Sequence, residues 1–205
     1  MSELNVVILD YGSGNVASVL SMMQRLTDKV HVSNKITDIE CASHFILPGV
    51  GSYSEAMKKV QASLPFDLLE QRVLKEEIPF LGICVGMQLL FSGSEEFGFH
   101  KGFNWIPGSV IKIKGGRGLP VPHIGWNALN NNLDNGYIEQ GSDMYFVHSY
   151  KAVPEDRNCI LSTVQYGEEI CALVQSGNIL GAQFHPEKSQ AGGIKLLSQF
   201  LGRAC

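Results

Sequence analysis

No stretch of the sequence is apolar over the length a membrane-spanning helix needs, so no membrane partner is expected. A basic excess is missing too. The 16 Lys and Arg stand against 20 Asp and Glu, a net charge of −4, which gives no reason to expect nucleic acid or an acidic lipid surface. Cysteines are few and scattered (Cys41, Cys84, Cys159, Cys171, Cys205), odd in number and without a Cys-x-x-Cys pair. That argues against a disulfide framework and against a thiolate zinc site, and no metal is expected. The opening Met1-Ser2-Glu3-Leu4-Asn5 lacks the basic region and apolar core of a signal peptide, so a cytoplasmic protein with reduced thiols is expected. Internal repeats and low-complexity segments are also missing. What remains is a globular balance, 44% hydrophobic and 18% charged, over a length that fits one domain, residues 1–205.

The stretch around which the chain is organised runs from Ile78 to Phe91. Its first half is a short apolar run opened by Pro79, as in a buried parallel strand, and its second half reads as the start of an apolar helix. Between them lies Gly82-Ile83-Cys84-Val85-Gly86, the spacing of a nucleophile elbow, in which a sharp strand-to-helix turn lifts one side chain into a cleft. A helix N-terminus at Cys84 would favour thiolate over thiol. A buried structural cysteine is the competing reading.

Upstream, a strand at Asn5–Leu9 leads through Asp10-Tyr11-Gly12-Ser13-Gly14-Asn15 into a helix from about Val16 to Arg25. Gly12-x-Gly14-x-x-Ala17 matches a dinucleotide fingerprint only weakly, since the next strand, Val30–Asn34, ends in asparagine rather than an acidic residue, and no cofactor is expected. The strand His44–Leu47 runs into Pro48-Gly49-Val50-Gly51, a turn that can aim backbone N–H groups at an oxyanion. Ser52 and Glu55 have the spacing of a capping box for the following helix. A further helix spans about Pro65 to Glu76, with Leu68, Leu69 and Val73 as its apolar stripe.

After Phe91, residues 92–108 have the composition of loops. Short strands follow at 109–113, 125–129, 144–150 and 158–164, then a hairpin over Ile170–Val174 and Ile179–Phe184 and a closing helix at about 191–201. The Asn-rich segment 130–136 reads as a surface loop. The order predicts an α/β fold: a mostly parallel, doubly wound sheet with an added antiparallel region.

The last hairpin strand ends in Phe184-His185-Pro186-Glu187. In an extended segment residues i and i+2 share a side, so Glu187 can fix the tautomer of His185 and leave its other nitrogen to take a thiol proton. A surface His-Pro-Glu turn is the bland alternative.

Gly82-Ile83-Cys84-Val85-Gly86-Met87-Gln88 together with Phe184-His185-Pro186-Glu187 resembles the class I (triad) glutamine amidotransferases. The segments at 47–52, 122–127, 145–150 and 183–189 resemble more narrowly the glutaminase subunits of imidazole glycerol phosphate synthases. The resemblance covers nearly the whole chain and implies a three-layer, flavodoxin-like fold. It implies a Cys84–His185–Glu187 triad hydrolysing L-glutamine, with an oxyanion held by Val85 N–H and by the loop at Val50 and Gly51. It also implies Gln88 and Glu96 at the amino-acid end of the substrate. A (β/α)8-barrel cyclase partner is implied as well, forming a heterodimer through Asn15, Trp126, Tyr145 and Lys188 and receiving the ammonia. A paralogous glutaminase serving another synthase, an inactive scaffold and a cysteine peptidase are the rival readings. The intact Cys84, His185, Glu187 and Gln88 speak against the scaffold, and the small closed pocket suggested by Tyr145 and the Gly-rich loops speaks against the peptidase.

Overall fold

The structure, a computed structural model, describes residues 3–12, 15–116, 118–131 and 135–202. The first half of the chain contains β1 (Val6–Leu9), α1 (Val16–Met23), β2 (Val30–Ser33), α2 (Ile36–Glu40), β3 (His44–Gly49), α3 (Tyr53–Ser63) and α4 (Phe66–Leu74). It continues with β4 (Phe80–Cys84), α5 (Val85–Gln88), β5 (Phe91–Ser94), β6 (His100–Lys101) and β7 (Ile106–Lys112). The second half contains β8 (His123–Ala128), β9 (Asn130–Asn131), β10 (Asp143–His148), β11 (Tyr150–Pro154), β12 (Ile160–Gln165), β13 (Glu169–Ser176), β14 (Ile179–Ala182) and α6 (Gln190–Leu201). Among the described residues no helix is long and apolar enough to cross a membrane.

The main sheet has the order β2-β1-β3-β4-β14-β13-β12-β9. Its first five strands are parallel, and β13, β12 and β9 extend it antiparallel. Strands β1, β3, β4 and β14 are buried along their whole length, which is why they read as unbroken apolar runs rather than as alternating ones. The predicted mostly parallel α/β sheet with an antiparallel addition is the one observed. Two smaller sheets, β10-β8 and β11-β7-β5-β6, lie beyond it. Phe80 of β4 packs edge-on against Trp105 at 5.0 Å, and the Trp105 indole N–H donates to Glu70, which ties the β6–β7 connection of the four-stranded sheet to β4 and α4.

Several expectations need correction. The helix after Cys84 is four residues long, because Leu89 and Leu90 turn the chain directly into β5. Residues 92–108 are not all loop. Phe91–Ser94 owes its strand to pairing with β7 and β6 rather than to its own composition, and Gly93 leaves room for the His100 carbonyl and the Phe99 ring, each 2.8 Å from where a Cβ would sit. The run at 144–150 is two strands: β10 pairs with β8, the chain bends at Ser149, and β11 joins β7 in another sheet. Helix α2 escapes sequence reading because five residues with one buried apolar side chain, Ile39, carry no periodicity. In the Asn-rich segment, Asn130 and Asn131 form the edge strand β9 rather than a loop, and residues 132–134 lie outside those described. Ser13 and Gly14 of the weak fingerprint also lie outside them.

The tightest packing lies beneath the elbow. A Cβ on Gly86 would sit 2.0 Å from the Leu47 carbonyl oxygen, and one on Gly82 would sit 2.6 Å from that of Gly86. Both neighbours are backbone and cannot swing aside. Gly86→Ala is therefore expected to cost about 2–3 kcal/mol through overpacking, read as a lowered urea midpoint with an unchanged slope. An unshifted midpoint would show that β3 and α5 can separate freely.

Candidate active site

Parallel pairing brings three strand ends to one edge. Gly49 of β3 lies opposite Cys84 of β4, and Ile83 of β4 lies opposite Ala182 of β14. In open α/β sheets that carboxyl edge is where ligands bind. Beyond it lie the Val50–Gly51 turn, Cys84 itself, and the Gln183-Phe184-His185 extension.

Cys84 has φ 55° and ψ −111°, a left-handed backbone that costs about 1–3 kcal/mol for a non-glycine residue. The close approaches at Gly49, Gly82 and Gly86 enforce it. The side chain is 4% exposed, yet it lines a cleft of about 400 Å³. Its sulfur lies 3.8 Å from the Val147 carbonyl oxygen and 3.8 Å from Gln183 Nε2.

His185 lines the same cleft. Its N–H donates to the Tyr145 carbonyl at 2.9 Å, and its own carbonyl accepts from Ser189 Oγ at 2.6 Å, which fixes the backbone. Its Nδ1 is 2.7 Å from Glu187 Oε1, with both side chains fully buried. The route to this pair differs from the expected one. Pro186 opens a 3-10 turn over Pro186–Lys188, so the turn rather than an extended chain brings the carboxylate back to the ring. Nε2 makes no hydrogen bond and is the nitrogen left over for the thiol. Burial pulls the imidazole pKa down, but Cys84 and Glu187 together outweigh it and hold the pKa up at about 9. Cys84 is thus close enough to act electrostatically on the ring while falling short of hydrogen-bond geometry.

Asn15, expected at a partner interface, is partly buried, and its side chain reaches the His185–Glu187 pair. Its backbone is left-handed (φ 77°), and its Nδ2 donates to Glu187 Oε1 while lying 3.5 Å from His185 Nδ1. The other three expected interface residues do meet: Trp126 packs edge-on against Tyr145 at 5.8 Å, and Lys188 Nζ lies 5.6 Å from the Tyr145 ring centre. Trp126 is half exposed.

Val50, Gly51, Val85, Gln88 and Glu96 all line the cleft with Cys84. Gly51 has φ +91°, which a glycine adopts without strain. The predicted capping box does not form, since Ser52 makes no side-chain cap bond; separately, the Tyr53 N–H donates to Glu96 Oε2 at 2.5 Å. Sequence reasoning gave no role to Tyr150, His148 or Pro122, which also line the cleft. His148 Nδ1 donates to the Tyr150 carbonyl at 2.8 Å, and its Nε2 lies 3.1 Å from His123 Nδ1. Burial lowers the His148 pKa to about 3 and that of His123 to about 4, so both rings are neutral. The only signal for them was that polar residues occupy inward positions of apolar strands. Among the described residues no three His, Cys, Asp or Glu side chains converge to hold a metal. A thiol on a strained turn, an imidazole steered by a carboxylate and a small cleft together can perform acyl transfer by way of a thioester.

Residues 7–203 match the family model described as glutamine amidotransferase class-I. "Imidazole glycerol phosphate synthase subunit HisH 2" of Vibrio vulnificus (strain YJ016) is 44% identical, covering 97% of this chain and 94% of the relative. "Imidazole glycerol phosphate synthase subunit HisH" of Aquifex aeolicus (strain VF5) is 39% identical over 98% of both chains. A solved structure described as "Crystal structure of glutamine amidotransferase" superposes with a TM-score of 0.76, covering 97% of this chain and 98% of that one. At 19% identity it shows the fold alone.

The histidines give the site a pH signature. His185 is raised above its ordinary value of 6.5, so its contribution to stability is complete below about pH 6.5 and fades as pH climbs through about 9. His123 and His148 are depressed, so theirs is complete above about pH 6.5 and is lost as pH falls toward 4 and 3. NMR titration should show the His185 ring alone changing near pH 9, with Glu187→Gln moving it down. A His185 midpoint near 6.5, indifferent to Glu187, would contradict the pairing.

Proposed function

The chain belongs to the class-I glutamine amidotransferases, and on that premise we propose that it is the glutaminase subunit of an imidazole glycerol phosphate synthase, acting in histidine biosynthesis. Residues 1–205 act as one amidotransferase domain in the cytoplasm. The observation that carries the reading is Cys84 on its left-handed turn, sharing a cleft of about 400 Å³ with His185, which is paired to the buried Glu187. That volume suits one small amino acid, L-glutamine, better than a peptide chain.

In this reading Cys84 Sγ attacks the side-chain carboxamide carbon of glutamine. His185 Nε2 accepts the thiol proton and hands it to the departing nitrogen, which leaves as ammonia. The product bound to sulfur is a γ-glutamyl thioester. Water, deprotonated by the same ring, attacks it, the C–S bond breaks, and glutamate and the thiol are restored. The oxyanion of both steps is held by Val85 N–H and by the Val50–Gly51 loop. Gln88 and Glu96 line the same cleft and bind the amino-acid end of the substrate. Glu187 keeps Nδ1 protonated, and Asn15 donates to the same carboxylate oxygen and helps hold it in place.

Ammonia released into water becomes ammonium and loses its nucleophilicity, which favours delivery to a partner. That partner is a cyclase subunit, a (β/α)8 barrel docked as a heterodimer on the patch of Trp126, Tyr145 and Lys188. A second reading draws on the numbered name of the Vibrio vulnificus relative. It keeps the glutaminase and changes the acceptor synthase. Complementation of a histidine auxotroph separates the two: growth supports the histidine-pathway assignment, and failure alongside a working glutaminase supports the other.

Cys84→Ala is expected to lower glutamine hydrolysis, assayed with the partner cyclase and its substrate, by about 10⁴–10⁶-fold in kcat. Circular dichroism and co-purification with the partner should be unchanged. An electrophilic glutamine analogue should label Cys84 and spare Cys41, Cys159 and Cys171. Even labelling, or comparable turnover by the variant, would remove Cys84 from the mechanism.

A further inference from the structure

Gln183 is a primary amide with no exposed surface, immediately after a strand that is otherwise wholly apolar. Burying an amide is unfavourable unless its hydrogen bonds are made. Here they are made along a line that runs to the sulfur. Gln88 Nε2 donates to the Tyr150 backbone carbonyl at 3.0 Å and to Gln183 Oε1 at 2.9 Å. A backbone carbonyl can only accept, so the amino end of Gln88 must face it, and that settles the orientation of both amides. With Oε1 taken by Gln88, the Nε2 of Gln183 faces Cys84 Sγ at 3.8 Å. A second polar contact of the sulfur, besides its approach to the His185 ring, is the Val147 carbonyl, also at 3.8 Å, which can accept from a thiol but offers nothing to a thiolate. Of these two contacts only the Gln183 amide becomes stronger when the sulfur is charged.

We propose that Gln183 is a further catalytic residue of this site: its side-chain N–H, oriented by Gln88, donates to the Cys84 sulfur and stabilises the thiolate that attacks. Helix α5 is a single turn of four residues and supplies little dipole, so the charge on sulfur depends on individual donors placed against it. Gln183 is the donor supplied by the β14 side of the cleft, as His185 is the acid–base group two residues further on. The Tyr150–Gln88–Gln183–Cys84 line also joins the wall where the substrate's amino-acid end is placed to the reacting atom. The inference rests on the reading of Cys84 as nucleophile.

The test is the pH dependence of Cys84 alkylation by iodoacetamide in the purified full-length chain, followed by mass spectrometry of the Cys84 peptide. Gln183→Met keeps the volume and removes the donor. Its alkylation profile should move up by about one pH unit, with a rate about tenfold lower at neutral pH that recovers in alkaline solution. Glutamine turnover with the partner should show the same acid-side loss in kcat with KM little changed. A mere packing defect would lower the rate at every pH. Gln88→Met, which removes the orienting donor from the cleft rim, should shift the profile the same way by less, and it carries the test if the Gln183 variant does not fold. A profile unmoved in a folded variant, while wild-type Cys84 stays selectively reactive, overturns the role of Gln183 alone. Wild-type Cys84 no more reactive than Cys41 overturns the nucleophile reading and this proposal with it.

Discussion

The site depends on one steric constraint: the backbones of β3, β4 and α5 lie closer together than any side chain allows. Gly49, Gly82 and Gly86 face one another across this contact, and a Cβ on any of them would come within 2.0–2.6 Å of a backbone atom of its neighbour. The approach leaves β4 no room to run on into its helix smoothly. The chain must turn sharply at Cys84, and a cysteine accepts the left-handed backbone that glycine would take freely. Strain of this kind persists only where its surroundings over-determine it. Three glycines in van der Waals contact supply that determination, and the thiol ends in the cleft because the backbone beneath it has no alternative.

A second level of organisation is the order in which buried polar groups are satisfied. Glu187 Oε1 takes both His185 and Asn15, Gln88 donates to Gln183, and Glu96 takes the first N–H of α3. All but the His185–Glu187 bond join residues far apart in the chain. In a low-dielectric interior such bonds are strong when made and costly when broken. The floor of the cleft is therefore held in one arrangement by the same groups that face the reacting atoms.

The parts of this site legible from sequence are those whose geometry is local. Gly82-x-Cys84-x-Gly86 makes its own turn, and His185-Pro186-Glu187 closes its own pair, although through a 3-10 turn rather than the extended chain its spacing suggested. The parallel core was legible for a similar reason, since strands buried on both faces declare themselves as unbroken apolar runs. What escaped is non-local. Asn15 reaches Glu187 across 172 positions and Gln183 reaches Cys84 across 99, and neither has a neighbour in sequence that reveals its target. The bond from the Tyr53 N–H to a carboxylate 43 positions away is non-local in the same way. Strand β5 was hidden because Ser92, Gly93 and Ser94 have loop composition and become a strand only through β7 and β6.

Burial alone would treat the three histidines near the cleft alike, yet they differ in charge. His185 and His148 both line the cavity, and burial pushes both toward the neutral form. Their partners decide the outcome. His185 faces the Glu187 carboxylate and the Cys84 sulfur, which favour a proton on the ring, while His148 has a carbonyl on one nitrogen and the neutral His123 on the other. A charge on His185 further disfavours one on His148. Of the three rings only His185 is held toward the charged form, and its Nε2 is the atom that exchanges a proton with the thiol. A proton shared between two competing rings would leave the nucleophile's base undefined. Pairing His148 to a backbone carbonyl and a stacked neutral ring removes that competition, and it does so without placing a second anion near the sulfur.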